Sequence, residues 1–69
     1  MEKFTKEQEK IIKQFYDSLP EEKKKLYAGL HYFQLGPGSK EYISNLFECD
    51  IQTILQGIKE LENLDDYNL

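Results

Sequence analysis

Gln52 and Gln56, within the stretch IQTILQGIKELE, carry amides able to make two-point contacts to adenine. Thr53 can contact a phosphate or a thymine methyl, and Lys59 and Lys40 can meet phosphates. Ser39 stands where a helix is expected to begin. Its hydroxyl, with the free amides of that first turn, can hold another phosphate. These groups outline a thin set of contacts to double-stranded DNA, with Gln52, Thr53 and Gln56 toward the bases. The run Lys23-Lys24-Lys25 would add a phosphate contact if its helix lay along the DNA backbone, but a lysine run on a polar helix face is more simply a solvated surface.

Catalytic chemistry has less to draw on. His31 is the sole histidine, and beside Tyr32 and Phe33 on a helix it reads as a core-edge residue. Asp65 and Asp66 form a carboxylate pair in a tail with no rigid frame for a metal or substrate. Cys49 lies one residue before a helix start, where the dipole lowers a thiol pKa, but Asp50 opposes that effect. A small, buried, apolar thiol is the simpler reading. A single cysteine allows no internal disulfide, and no Cys/His set has metal-ligand spacing. The five tyrosines and four phenylalanines fall mostly at helical spacing and read as core, since base-stacking platforms usually sit on a sheet. No enzyme activity, metal or cofactor is expected.

The elements that would position these residues are helices. Thr5 and Gln8 form a capping box that opens the first, and Ile11, Ile12, Phe15, Tyr16 and Leu19 make its apolar stripe. Pro20 ends it and can start the second, although Ser18 with Glu21 offers a competing capping box. In the second helix Leu26, Leu30 and Phe33 lie on one face, widened by Tyr27, Ala28 and Tyr32, and Gly36-Pro37-Gly38 stops it. Ser39 caps a third helix with Tyr42, Ile43, Leu46 and Phe47 inward. Asp50 caps a fourth, from about Ile51 to Asn63, with Ile54, Ile58 and Leu61 inward.

The expectation is one all-α domain over residues 1–69, a small bundle of about four helices. It contains a helix-turn-helix at 39–63 and a frayed tail at 64–69, with too little chain after Asn63 for a wing. A helix-turn-helix needs a small residue in its first helix, a tight turn and a branched apolar lock in its second. Ser44, Glu48 and Ile54 fill those places. Glu48 in a left-handed turn would cost about 1 kcal/mol. An ordinary αα-hairpin in a helical bundle accounts for the same pattern without any DNA.

Leu26-Tyr27-Ala28, Leu35-Gly36-Pro37-Gly38, Thr53-Ile54 and Gly57-Ile58-Lys59-Glu60-Leu61-Glu62 resemble the N-terminal region of insertion-sequence DDE transposases of the Rhodopirellula type. The likeness spans about residues 18–62. It implies a helix-turn-helix that docks a transposase on the ends of its element, here without the catalytic DDE domain. The chain departs from the family where arginines usually line the recognition helix, for it has Ile51, Leu55 and Gln56 there. Arginine makes the commonest specific contact to guanine and also neutralises phosphates, and both roles are lost.

Charge points another way. The formal net charge is −4, with no arginine. Residues 1–25 hold seven lysines and six acids, whereas residues 26–69 hold two lysines and seven acids. The helix-turn-helix therefore lies in the acidic part, which counts against plain phosphate binding. Ile51 and Leu55, one turn apart and flanked by Cys49 and Tyr67, suggest an alternative: a degenerate helix-turn-helix that binds another protein or a second copy of itself. Packing of that pair by the first helix or the tail is the competing account. At 69 residues the chain buries only about 60% of its unfolded surface, so its stability should be marginal. Apolar runs are far too short for a membrane span, and MEKFTKEQEK has no signal-peptide core, so a cytosolic protein is expected.

Overall fold

A computed structural model describes residues 3–64 as four helices, with no strand among them. They are α1 (Lys6–Ser18), α2 (Glu21–Leu35), α3 (Lys40–Phe47) and α4 (Ile51–Glu62). The frayed tail expected at 64–69, with Asp65, Asp66 and Tyr67, lies outside the described residues except for Leu64. None of the described helices is long and apolar enough to cross a membrane.

Helix boundaries follow the local chemistry. The capping box at Thr5 is present: its hydroxyl accepts from the Gln8 amide at 3.1 Å, and the Thr5 amide donates to Gln8 Oε1 at 2.9 Å. The competing box at Ser18 is absent, because the Ser18 hydroxyl donates back to the Phe15 carbonyl at 2.6 Å. Pro20 takes the N-cap position of α2 instead, without a side-chain cap, and Glu21 and Glu22 occupy the positive helix end. Gly36, with φ 91°, ends α2 as its amide returns to the Tyr32 carbonyl at 2.8 Å.

The dominant contact is α2 against α4. α3 bridges the two, and α1 lies across α3 and α2 with its backbone apart from that of α4. Tyr16, Ala28, Ile43, Phe47 and Ile54 form the buried core. The rings of Tyr16 and Phe47 stack in parallel at 4.1 Å between centroids, tying α1 to α3.

Two apolar stripes differ from expectation. Leu30 and Phe33 are about half exposed, at 52% and 48%, while the buried residues of α2 are Ala28, Gly29 and His31. α2 is hemmed in by all three other helices, and its closest approach needs small side chains rather than bulky ones. A Cβ on Gly29 would lie 2.8 Å from the Gly57 carbonyl carbon, and one on Gly57 would lie 1.8 Å from the Lys25 carbonyl oxygen. In α1, Tyr16 takes the inward place, leaving Ile11 and Phe15 60% and 52% exposed.

His31 is 93% removed from solvent, deeper than a core-edge position. Rings surround it on three elements: Phe4 from the N-terminal segment, Tyr27 from α2 and Phe47 from α3. Its Nδ1 lies 3.0 Å from Gln34 Oε1, and its Nε2 has no partner among the described residues. Burial lowers its pKa below the ordinary 6.5, and the Gln34 bond only partly opposes this.

Three outcomes follow for stability, each readable by urea unfolding. Gly57→Ala should destabilise the fold by about 3 kcal/mol, since the added carbon meets backbone rather than a movable side chain. Glu48→Gly should stabilise it by about 1 kcal/mol by relieving the left-handed conformation at φ 54°. The fold prefers neutral His31, so its contribution is complete above pH 6.5 and is lost as pH falls toward the lowered folded-state pKa. His31→Phe should flatten the decline in stability between about pH 7 and 5.

Candidate nucleic-acid interface

The turn between α3 and α4 is built around Glu48, whose φ of 54° and ψ of 46° place it in the left-handed region. Ser44 is the small residue the turn needs. Its hydroxyl donates to the Cys49 carbonyl, and its carbonyl accepts from the Cys49 amide at 3.0 Å. Asp50 then occupies the N-cap position of α4. Its main-chain carbonyl receives the Thr53 amide at 3.0 Å, while its carboxylate makes no capping bond. Ile54, fully buried against the equally buried Ile43 cluster, locks α4 on α3.

With Ile54 inward, α4 presents its opposite flank to solvent. Gln52, Gln56 and Lys59 are exposed and follow one another at four and three residues, so they share that flank. Ile51 and Leu55, 40% and 37% exposed, run beside them. Residues 51–58 carry no ionisable side chain, and the acids of this half of the chain lie on either side of them.

Other candidates sit elsewhere. Thr53 is half-buried and lines an open groove with Lys13, Tyr16, Ser44 and Cys49, apart from the glutamine flank. Ser39 is fully buried, and its hydroxyl donates to the Gly36 carbonyl at 2.7 Å. That bond closes the glycine loop, so the side chain neither caps α3 nor faces outward as a phosphate ligand. Lys40 is half-buried, its ammonium 5.4 Å from the Tyr32 ring centre. Within the lysine run only Lys23 is exposed: Lys24 is half-buried, 3.5 Å from Glu21 and 5.5 Å from the Tyr16 ring centre, and Lys25 is half-buried and reaches Glu60 of α4 at 2.6 Å, so the run is not the solvated face expected.

Cys49 is half-buried. Burial raises its thiol pKa, a hydrogen bond from Tyr16 lowers it and the Asp50 charge raises it, with a net upward shift. A protonated thiol is a poor nucleophile at neutral pH. Among the described residues no group of three or more His, Cys, Asp or Glu side chains is placed to hold a metal ion.

The sequence pattern did not reveal the contact of α1 with the turn. Lys13 reaches Asp17 at 2.9 Å and Glu48 at 3.4 Å, joining the first helix to the left-handed residue. Such a pair leaves no periodic trace in the sequence. No protein-family model, curated protein or solved structure matches this chain, so its function must be read from the residues and geometry above.

Proposed function

We propose that the chain is a helix-turn-helix module that docks on double-stranded DNA with α4 in the major groove. The orientation of α4 carries this reading. Ile54 faces wholly inward, and Gln52, Gln56 and Lys59 stand exposed together on the far flank. Helix-turn-helix proteins present side chains to base edges from the early part of a second helix held in this way. The uncharged run at 51–58 also keeps carboxylates off the part of α4 that would lie deepest in the groove. The resemblance to transposase N-terminal regions adds weight in the same direction. Gln52 and Gln56 would meet adenine edges and Lys59 a phosphate, with Lys40 able to join if it left the Tyr32 ring. Two such cations give a slope of roughly −2 in the logarithmic salt dependence. Affinity would be low, because Glu48 and Asp50 stand beside the turn.

The exposure of Ile51 and Leu55 favours a second reading. In it the same flank binds another protein or a second copy of the chain, in keeping with the acidic balance.

Anisotropy titration of short random-sequence duplex DNA at low salt separates the two. Saturable binding that weakens with salt is the expected result, and a Gln52→Ala, Gln56→Ala, Lys59→Gln triple variant should bind about tenfold more weakly. No binding, together with a concentration-dependent dimer in sedimentation, would replace the first reading with the second.

A further inference from the structure

We infer that the outward flank of α4 is selective for A·T base pairs read from the major groove. This rests on the DNA-binding reading and assigns that site its class of sequence. Four exposed residues lie in the first half of α4, the part that reaches base edges in a helix-turn-helix: Ile51, Gln52, Leu55 and Gln56. Gln52 and Gln56 lie one helical turn apart, as do Ile51 and Leu55, so the flank carries a row of amides beside a row of aliphatics.

An A·T pair shows two kinds of surface in the major groove. Adenine offers an acceptor at N7 beside a donor at N6, which a glutamine amide matches with its own donor and acceptor. Thymine offers its C5 methyl, which an aliphatic side chain covers. The amide row and the aliphatic row of α4 therefore match the two halves of an A·T edge. Guanine calls for arginine or lysine and cytosine for a carboxylate, and residues 51–58 contain neither. Lys59 is the only cation of α4, and it stands past that run, toward the far end of the helix. The exposed Ile51 and Leu55, which look out of place on a polar helix face, gain an apolar partner in this arrangement.

The test uses short duplexes of equal length and salt: one of mixed A·T sequence, one of mixed G·C sequence, and the A·T duplex with every thymine replaced by uracil. Uracil removes the major-groove methyl and leaves the pairing and the minor groove as they were. The intact chain should prefer the A·T duplex by at least about fivefold and lose several-fold in affinity on the uracil duplex. The exposed-site double variant Ile51→Ala, Leu55→Ala should bind the thymine and uracil duplexes alike, while its circular dichroism shows the fold retained. Equal binding to the A·T and G·C duplexes would overturn the selectivity and leave DNA binding standing. So would an A·T preference indifferent to uracil, since the discrimination would then lie outside the thymine methyl. Absence of binding to any duplex at low salt would overturn both readings.

Discussion

The close approach of α2 and α4 governs the rest of the molecule. The Lys25 carbonyl lies where a side chain on residue 57 would begin, and Gly29 faces the same strip of backbone. Each glycine inside a helix costs about 1 kcal/mol against alanine. That cost is offset because the main chains come near enough for Ala28 and Ile54 to be wholly enclosed. The approach also fixes the rotation of α4 about its own axis, and so decides which of its residues meet solvent. The Lys25–Glu60 pair closes the edge of the same contact, although partial exposure limits what it adds.

α1 acts as a brace on this arrangement. Its backbone stays apart from that of α4, yet it holds the turn that aims α4. The stacked Tyr16 and Phe47 rings fix the end of α3, and Lys13 reaches the strained Glu48 beyond it. The stack is the stronger of the two, since Glu48 is largely exposed and its ion pair is screened by water. At the other end of α1, Tyr42 donates to Glu9 and accepts from the Phe4 amide, which brings the Phe4 ring against His31. The small fold thus gains by aromatic packing part of what its length denies it in core volume.

The tight turn between α3 and α4 was legible because its demands are local. Ser44, Glu48 and Ile54 each answer a steric requirement of a short turn, and all three play the expected part. Four helices and their ends were legible for the same reason, through Thr5, Pro20 and Gly36. The buried face of α2 was not, because periodicity ranks Leu30 and Phe33 above Ala28 and Gly29. Only the position of a neighbouring helix reveals that small residues are needed there. Two glycines inside helical patterns were the available signal, since their propensity cost calls for a packing reason. At the candidate site, exposure of Gln52, Gln56 and Lys59 followed from the place of Ile54. Ser39 was misjudged because a helix-start serine has two partners within reach, and here it takes the loop carbonyl.

The filled space at residue 57 divides α4 into two kinds of position. Toward α2, identity is dictated by a carbonyl oxygen that no side chain can displace. At 52, 56 and 59 the side chains are exposed on the far flank, whereas Ile51 and Leu55, 40% and 37% exposed, are partly covered. Combinatorial libraries at 52, 56 and 59 would therefore vary what the helix recognises while leaving the scaffold that holds it untouched.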